Sequence, residues 1–350
     1  FFSRLFRTMS LRVVSEPPAD GRPLIGTHDG HFHCDEALAC AMLQMTEEFA
    51  GAAVCRTRNK DRLAQCNIVV DVGAEYDPER YRFDHHQLSF AGTMTTPEAE
   101  YKTRLSSAGL VYKHFGRAVV RKLCDPVSDA DLDIIYDRVY KNFVEHIDGI
   151  DNGVEESGLS RTDTDVTLVS NYRVTTTLSQ RVGKLNPAWN EDKTAEGENE
   201  CFKKAVKLTG DEFVESVMGY YKSWLPARSI VQRAVEDRAA VHESGRIVRL
   251  ECPCPWQEHL YDVEAKAGLE GHVYYVLYPD GKGPWRVQCV GVKGTRFQNR
   301  KSLEWKGLRD DECSAASGVE GCIFVHASGF IGGNNTEAGA LAMAVKSLQA

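Results

Sequence analysis

Three short apolar segments near the start of the chain are each followed by polar side chains. The apolar segment that begins at Leu24 is typical of a strand that leads through a loop around Gly30 into a helix, and residues 53–57 and 67–73 are typical of two further strands. In an open α/β sheet the carboxyl ends of the strands face one crevice, where sites are usually built. The pattern therefore predicts an α/β fold with a parallel sheet and a functional site at its strand ends.

Histidines and aspartates cluster at these predicted strand ends and in the segments that follow. Each of them has an ordinary alternative role: Asp35 could cap the helix, Asp71 could belong to a turn, and His85 with His86 could be a surface pair. Independent caps and turns rarely produce such a set together, so the pattern favours a metal site. The candidate metal ligands are His28, His33, Asp35, Asp71, His85 and Asp151.

Five segments of the chain resemble the DHH phosphoesterase superfamily and, more closely, the melanocyte-proliferating-gene (Myg) family of exonucleases within it. Two positions depart from the superfamily pattern. His33 stands where a carboxylate is usual, and Asn334 stands where a histidine usually follows two glycines. These departures leave open which ligand serves which metal, and they allow substrate contact through His326 instead. The resembling segments, which extend over almost the whole chain, are residues 27–36, 69–73, 81–87, 148–153 and 321–333.

The resemblance implies a hydrolase in which two divalent metal ions activate water for attack on a phosphodiester. Asp71 is the expected bridge between the metals, and Asp84 and His86 are the expected catalytic residues. Asp84 would orient an imidazole, and His86 would contact the scissile phosphate or protonate the leaving oxygen. Asp148, three residues before Asp151, would support that ligand. Mixed imidazole and carboxylate ligation favours Mn²⁺, with Mg²⁺ as the alternative.

The carboxyl-terminal part of the chain contains a basic segment interleaved with aromatic residues. The whole chain has a formal net charge of -8, which argues against a nucleic-acid partner. Between Lys282 and Arg309, however, basic side chains far outnumber acidic ones, and Trp285 and Phe297 lie among them. Such a segment can hold a single strand through its phosphates and stacked bases. A solvated face over core aromatics fits the same composition equally well.

A glycine-rich segment precedes the last predicted helix. Backbone amides there could approach a phosphate closely, and the alternative is an ordinary turn and helix start. The resemblance implies that this motif holds the terminal nucleotide of the substrate. The predicted substrate-binding residues are Arg296, Arg300, Lys301, Arg309, His326, Gly332 and Gly333.

Composition divides the chain into four predicted parts. Residues 1–20 are interpreted as a leader or targeting remnant, 21–200 as the metal-binding catalytic domain, 201–245 as a helical connector and 246–350 as a smaller mixed α/β substrate-binding domain. The acidic run at 190–200 predicts a loop or linker. The amino-terminal segment is rich in Arg and poor in acids, which is typical of a mitochondrial transit peptide. The resemblance implies mitochondrial and nuclear localisation. The alternative is a location in the cytoplasm.

The spacing of the cysteines and the hydropathy of the sequence argue against two classes of protein, those with a disulfide scaffold and those that span a membrane. The 11 cysteines include no Cys-x-x-Cys pair, which argues for a reducing compartment and against a disulfide scaffold. No apolar run in the sequence has the length that a membrane-spanning helix needs, so no membrane partner is expected.

These observations together predict an exonuclease that releases nucleotides from the 3′ end of single-stranded RNA. The direction and the RNA preference come from the resemblance alone. One alternative is a small-molecule phosphohydrolase acting on pyrophosphate or short oligonucleotides, which should tolerate neutralisation of Arg296, Arg300 and Lys301. Another is a metal-dependent RNA-binding regulator without turnover, in which loss of Asp71 would change no measurable activity.

Overall fold

The structure is a computed structural model that describes residues 11–14, 16, 18, 20–155 and 174–350. It consists of two compact units, Phe1–Tyr221 and Lys222–Ala350. The predicted leader lies largely outside the described residues, and the predicted connector is divided between the two units. Among the residues that the structure describes, no helix is both long and apolar enough to cross a membrane.

The first unit begins with alternating strands and helices and continues mainly with helices. A 3₁₀ turn covers Pro78–Arg80, and π-helical turns cover Tyr112–Gly116 and Tyr140–Val144. The elements of this unit are β1 (Val13–Val14), β2 (Leu24–Thr27), α1 (Cys34–Met45), β3 (Ala53–Arg56), α2 (Lys60–Ala64), β4 (Ile68–Val70), β5 (Tyr76–Asp77), β6 (Arg82–Phe83), β7 (Thr93–Thr95), β8 (Glu100–Arg104), α3 (Ser107–Val111), α4 (Arg117–Leu123), α5 (Asp129–Val139), α6 (Glu145–Asp151), α7 (Leu178–Gly183) and α8 (Ala195–Gly219).

Within the described part of this unit, six strands form one sheet in the order β1-β3-β2-β4-β6-β5. Neighbouring strands are parallel except for the antiparallel pair of β5 and β6. Strands β2, β3 and β4 are buried along their whole length, which explains their nearly continuous apolar sequences. Because β2 and β4 are adjacent and parallel, the loops that follow them meet at one edge of the sheet. The predicted fold class is confirmed.

Helix α1 lies at the centre of the first unit, and all twelve of its residues are buried. Small side chains such as Ala37, Ala39 and Ala41 allow neighbouring elements to approach this helix closely on every side. The helix begins directly after His33, so its first turn stands beside the loop that follows β2.

The second unit combines helices with a mixed sheet. A π-helical turn covers Tyr220–Trp224 at the boundary of the units. The elements are α9 (Leu225–Glu236), α10 (Arg238–Val241), β9 (Ile247–Arg249), α11 (Gln257–Ala267), β10 (Tyr275–Pro279), β11 (Trp285–Cys289), α12 (Asp310–Ser317), β12 (Cys322–Val325), β13 (Ile331–Asn334) and α13 (Glu337–Gln349).

Five strands of the second unit, counted over its described residues, form a sheet in the order β12-β13-β11-β10-β9. Strand β9 is parallel to β10, and the other neighbouring pairs are antiparallel. Alternate residues of β10 point to opposite faces of the sheet. Tyr275 and Leu277 pack with α12 and α13, whereas Val276 packs with α9 and α11. Helices therefore cover both faces of this sheet.

The predicted loop at 190–200 is wrong for its second half, because α8 begins at Ala195. Thr194 caps the helix by accepting a hydrogen bond from the backbone N–H of Gly197. Glu196 and Glu198 lie in the first helical turn. Acidic side chains are favourable there because the helix dipole is positive at its amino terminus. The acidic composition thus marks a helix start rather than a linker.

Candidate metal centre

The loop after β2 places histidines beside the first turn of α1. His33 is the residue that precedes the helix, and its backbone N–H donates to both carboxylate oxygens of Glu36, at 2.9 and 3.0 Å. Glu36 Oε1 lies 2.9 Å from Nε2 of His28. Asp35 has no capping role here, because Glu36 completes that arrangement. The carboxylate of Asp35, which is 0% exposed, is therefore available as a ligand of the metal centre.

Asp71 lies at the centre of the cluster, directly after β4. Its backbone has a left-handed φ of 56°, a conformation that Asp tolerates better than most residues. Its Oδ2 lies 3.3 Å from His28 Nε2, whereas its Oδ1 lies 3.4 Å from His85 Nε2. The two oxygens of one carboxylate thus face two different imidazoles.

His85 belongs to the far side of this cluster. Its Nε2 lies 3.1 Å from Asp151 Oδ2 and 4.0 Å from Asp35 Oδ2. The backbone carbonyl of His85 accepts a hydrogen bond from the guanidinium of Arg104, at the end of β8. This contact helps to orient the loop that carries the imidazole.

Side chains of this cluster form three groups that could each hold a metal ion. The potential ligand atoms of each group lie within 4.8 Å of one another. Asp71 belongs to two of these groups, as a bridging ligand would. The groups are His28 with His33, Glu36 and Asp71; Asp71 with His85 and His86; and His33 with Asp35 and Asp151.

Unsatisfied buried atoms show that the cluster fits a cation. Nδ1 of His85 and Oδ1 of Asp35 are shielded from solvent, and neither makes a hydrogen bond within the part of the chain that the structure describes. Buried polar atoms normally have a partner. Two ligands at right angles around an octahedral cation with bonds of about 2.1 Å lie roughly 3 Å apart. The 3.1 Å between His85 Nε2 and Asp151 Oδ2 matches that spacing.

The protonation of the cluster reflects its crowded charges. Burial alone would lower the pKa of His28 and His85, but their carboxylate contacts raise these pKa values to about 9 and about 10. Burial opposes ionisation of Asp71, yet the two imidazoles hold its pKa well below its usual range. For Asp35, burial and the carboxylates of Asp71 and Asp151 raise the pKa well above its ordinary value. A divalent cation would relieve the repulsion among these carboxylates.

Asp84 and His86 form a pair at the mouth of the cluster. Asp84 Oδ1 lies 2.7 Å from His86 Nδ1, and Asp84 Oδ2 accepts the backbone N–H of Ala74 at 2.6 Å. The carboxylate of Asp84 is buried, while the side chain of His86 is 61% exposed. The imidazole that Asp84 orients is therefore the exposed His86. His86 Nδ1 also lies 3.7 Å from Asp71 Oδ1, so the ring stands beside the centre of the cluster.

Two residues of the cluster, Glu36 and Ser107, are not among the site residues predicted from the sequence. Glu36 could have been found there, because it stands three residues after His33 in the spacing of a capping box. Ser107, at the start of α3, donates its hydroxyl to Asp71 Oδ1 at 3.2 Å and its backbone N–H to Asp35 Oδ2 at 3.3 Å. No local signal marks Ser107, because its partners lie 36 and 72 positions away.

Asp148 is not a member of the ligand groups, but its carboxylate holds the start of α3 through hydrogen bonds. Its Oδ1 accepts hydrogen bonds from the N–H and hydroxyl of Ser106, at 2.9 and 2.7 Å, and from the N–H of Gly109, at 3.1 Å. Its Oδ2 accepts the hydroxyl of Tyr140 at 3.1 Å. Burial raises the pKa of Asp148 to about 7 despite these bonds. Asp148 therefore holds the start of α3, and with it Ser107, against the cluster.

The basic residues predicted to bind substrate differ in their surroundings within the second unit. Arg300 donates to both carboxylate oxygens of Glu264, at 2.8 and 2.7 Å, and its side chain is only 10% exposed. Lys301 donates to the carbonyl of Leu348 at 3.1 Å. Arg296 is exposed. The structure thus gives Arg300 and Lys301 internal contacts and leaves Arg296 at the surface.

Two further predicted residues, Arg309 and His326, are exposed. The guanidinium of Arg309 lies 5.9 Å from the centre of the Phe324 ring. Nδ1 of His326 lies 2.9 Å from the hydroxyl of Ser328, and its ring contacts that of Phe330 with centroids 4.9 Å apart. These side chains offer cationic and aromatic groups at the surface of the second unit.

Gly332 and Gly333 lie inside β13 rather than in a loop before a helix. Both are paired with β11 on one side and with β12 on the other. Their peptide groups belong to the sheet, so they form no cradle at a helix terminus. A Cβ at Gly332 would lie 3.0 Å from the backbone carbonyl oxygen of Phe324, so the neighbouring strand β12 leaves little room for a side chain there.

The chain is similar to proteins of one family over nearly its whole length. The family model MYG1_exonuc, described as "Uncharacterised protein family (UPF0160)", matches residues 24–348. The "MYG1 exonuclease" of Homo sapiens is 47% identical over 331 residues, which cover 92% of this chain and 85% of that protein. The "MYG1 exonuclease" of Bos taurus is 46% identical, with 97% and 90% covered. The "MYG1 protein" of Dictyostelium discoideum is 42% identical, with 93% and 96% covered. No solved structure shows a significant match.

Proposed function

Because the chain belongs to the MYG1 exonuclease family, we propose that it is a metal-dependent phosphodiesterase that removes nucleotides one at a time from the 3′ end of single-stranded RNA. The names of the mammalian relatives support exonuclease activity. The ligand pattern supports placement of the family within the DHH phosphoesterase superfamily. The arginine-rich amino-terminal segment supports action in mitochondria, with the nucleus as the second site that the resemblance suggests.

The observation that carries this proposal is the position of Asp71. One of its oxygens faces His28 and the other faces His85, as expected of a carboxylate that bridges two cations. Two divalent ions held there would lower the pKa of a bound water and neutralise the charge that develops on the phosphate. The mixture of imidazole and carboxylate ligands favours Mn²⁺, with Mg²⁺ as the alternative.

The protein's own side chains would bind the metals and contact the substrate. The loop after β2 and the first turn of α1 would contribute His28, His33, Asp35 and Glu36 to the centre, and the segment after β6 and the end of α6 would contribute His85 and Asp151. Asp84 keeps Nδ1 of His86 engaged, which leaves Nε2 to contact a phosphate oxygen or to protonate the leaving oxygen.

Surface groups of the second unit suit a single-stranded substrate. Arg296 and Arg309 are exposed cations, and the side chain of Phe297 is 91% exposed. Cations can follow a phosphate backbone, and an exposed ring can stack on unpaired bases without sequence preference. We assign this role to Arg296 and Arg309, which are exposed, rather than to Arg300, whose side chain is only 10% exposed.

The test is release of mononucleotides from 3′-labelled single-stranded RNA with Mn²⁺ or Mg²⁺. The wild type should release them stepwise, whereas Asp71→Asn and His85→Ala should lose activity. Asp211→Asn is the matched control, because Asp211 is a partly exposed carboxylate on α8. Metal binding to each variant is measured by calorimetry in parallel. Hydrolysis of pyrophosphate or dinucleotides in place of RNA would indicate a small-molecule phosphohydrolase. RNA binding without turnover, unchanged in Asp71→Asn, would indicate a regulator.

A further inference from the structure

A cavity of about 760 Å³ extends from the metal centre into the first unit. Its volume lies in the range typical of pockets that bind small molecules. Its lining includes Asp35, Asp71 and His86 of the metal centre together with residues of α6 and α7. The two parts of the lining differ in chemistry, because the first carries ligand groups and the second combines an apolar wall with polar side chains.

The apolar wall is formed by two isoleucines of α6. Ile147 and Ile150 are three residues apart and therefore share one face of the helix. Ile147 is fully buried, but the side chain of Ile150 is 45% exposed even though it is large and apolar. Asp151 follows on the same helix and belongs to the metal centre. The exposed isoleucine thus stands next to the place where a phosphate would react.

Gln180, on α7, lines the same cavity. Its Oε1 is shielded from solvent and has no hydrogen-bond partner among residues 174–350 or the other described parts of the chain. A buried acceptor without a donor is unfavourable. A ligand N–H group in the cavity would satisfy this acceptor once the amide of Gln180 turns toward it. All four RNA bases carry such groups, as exocyclic amines or ring imino groups.

We propose that the part of this cavity lined by α6 and α7 binds the base of the nucleotide that is being removed, with Ile150 against the face of the base and the amide of Gln180 turned to its edge. This inference rests on the proposed function and names the subsite of the terminal nucleoside. A nucleotide whose phosphate lies at Asp71 has its base a few bonds away, and the cavity provides Ile150 as an apolar surface and Gln180 as a hydrogen-bonding side chain. Ile150 and Gln180 then act on substrate binding and positioning, not on the metals.

The first experiment removes the base from the substrate rather than a residue from the protein. Two RNAs are compared, one with an ordinary 3′-terminal nucleotide and one whose terminal ribose lacks its base. Wild-type kcat/KM should fall about tenfold on the abasic RNA, because the contacts with the base are lost. Equal rates on the two RNAs would overturn the proposal.

The second experiment combines the two substrates with Ile150→Ala and Gln180→Ala. Each variant should lower kcat/KM about three- to tenfold on the ordinary RNA. The value of kcat/KM on the abasic RNA should not change, because that substrate already lacks the base that the side chain contacts. Val154→Ala and Gln65→Ala are matched controls at exposed positions outside the cavity. Equal losses on both RNAs would show that the residues act by another route. Thermal melting verifies that each variant is folded.

Direct binding separates a failure of this subsite from a failure of the proposed function. Binding of AMP, CMP, GMP and UMP to the whole protein is measured by calorimetry in the presence of Mn²⁺. Tighter binding to the wild type than to Gln180→Ala would support the subsite even if the protein released no nucleotide from RNA. No binding, or equal binding to both proteins, would overturn the subsite whatever the activity on RNA.

Discussion

Ser107 donates a hydrogen bond from its hydroxyl to Oδ1 of Asp71, with the two oxygens 3.2 Å apart. The accepting oxygen is the one that faces His85. Ser107 is fully buried, and its backbone N–H donates to Asp35 as well. One residue of α3 therefore orients two carboxylates that are far apart in sequence.

Ser107→Ala should lower metal affinity or activity about 10- to 100-fold, as is usual when a residue that orients a ligand is lost. The neighbouring Ser106→Ala is the matched comparison, because the hydroxyl of Ser106 donates to Asp148, which lies outside the ligand groups. Ser106→Ala should instead lower the free energy of unfolding by about 1–2 kcal/mol. Calorimetry with Mn²⁺ and thermal melting distinguish the two effects. Identical behaviour of the two variants would contradict this division.

Glu36→Gln should weaken metal binding at least about tenfold, since it removes a negative charge that lies 2.9 Å from His28 Nε2. Gln can still accept the N–H of His33 and complete the helix start. Glu36→Ala loses both functions and should also lower the melting temperature. Metal titration and melting of both variants test this expectation. A Glu36→Gln variant with wild-type metal affinity would exclude Glu36 from the centre.

His86→Ala should lower kcat about 100-fold, the lower part of the range for loss of a general acid or base. Metal affinity should change less than about twofold if His86 acts on the substrate, as its 61% exposed side chain suggests. Asp84→Asn should produce a similar but smaller loss of kcat, because it releases Nδ1 of His86. Rates and metal affinities are measured on the same samples. A large loss of metal affinity in His86→Ala would identify His86 as a ligand.

Asp148 should make stability depend on pH. Burial raises its pKa to about 7 in the folded state, from an ordinary value of 3.8. Between these values the folded state retains a proton that the unfolded state releases, so stability falls as pH rises through this window. Asp148→Asn cannot ionise and should lack this contribution, which is about 2–4 kcal/mol. Denaturation with urea from pH 4 to pH 8 compares the two proteins, and parallel curves would refute the expectation.

Arg300→Ala should destabilise the second unit by about 3–5 kcal/mol, because it leaves the fully buried Glu264 without its cation. Arg296→Ala, at an exposed position, should change the free energy of unfolding by no more than about 1 kcal/mol. Denaturation with urea measures both values. If Arg300→Ala were as stable as Arg296→Ala but bound RNA more weakly, Arg300 would be a substrate contact after all.

Local patterns in the sequence were sufficient to predict the buried parallel strands beside the metal centre. The predicted strand that begins at Leu24 corresponds to β2, and the predicted segments at 53–57 and 67–73 contain β3 and β4. A buried parallel strand needs an apolar run, and polar side chains can follow only where the strand ends. The same reasoning failed at 195–200, because acidic residues in a first helical turn have the composition of a loop.

The sequence by itself determined the fold class, the family and the types of metal-binding side chain, because these follow from periodicity, residue chemistry and the order of motifs. Only the tertiary structure decided which atoms meet. It placed Ser107 on Asp71 across 36 positions, paired Arg300 with Glu264 across 36 positions, and placed Ile150 and Gln180 around one cavity. These contacts depend on how helices pack against the sheets, and packing joins residues whose separation along the chain carries no periodic signal.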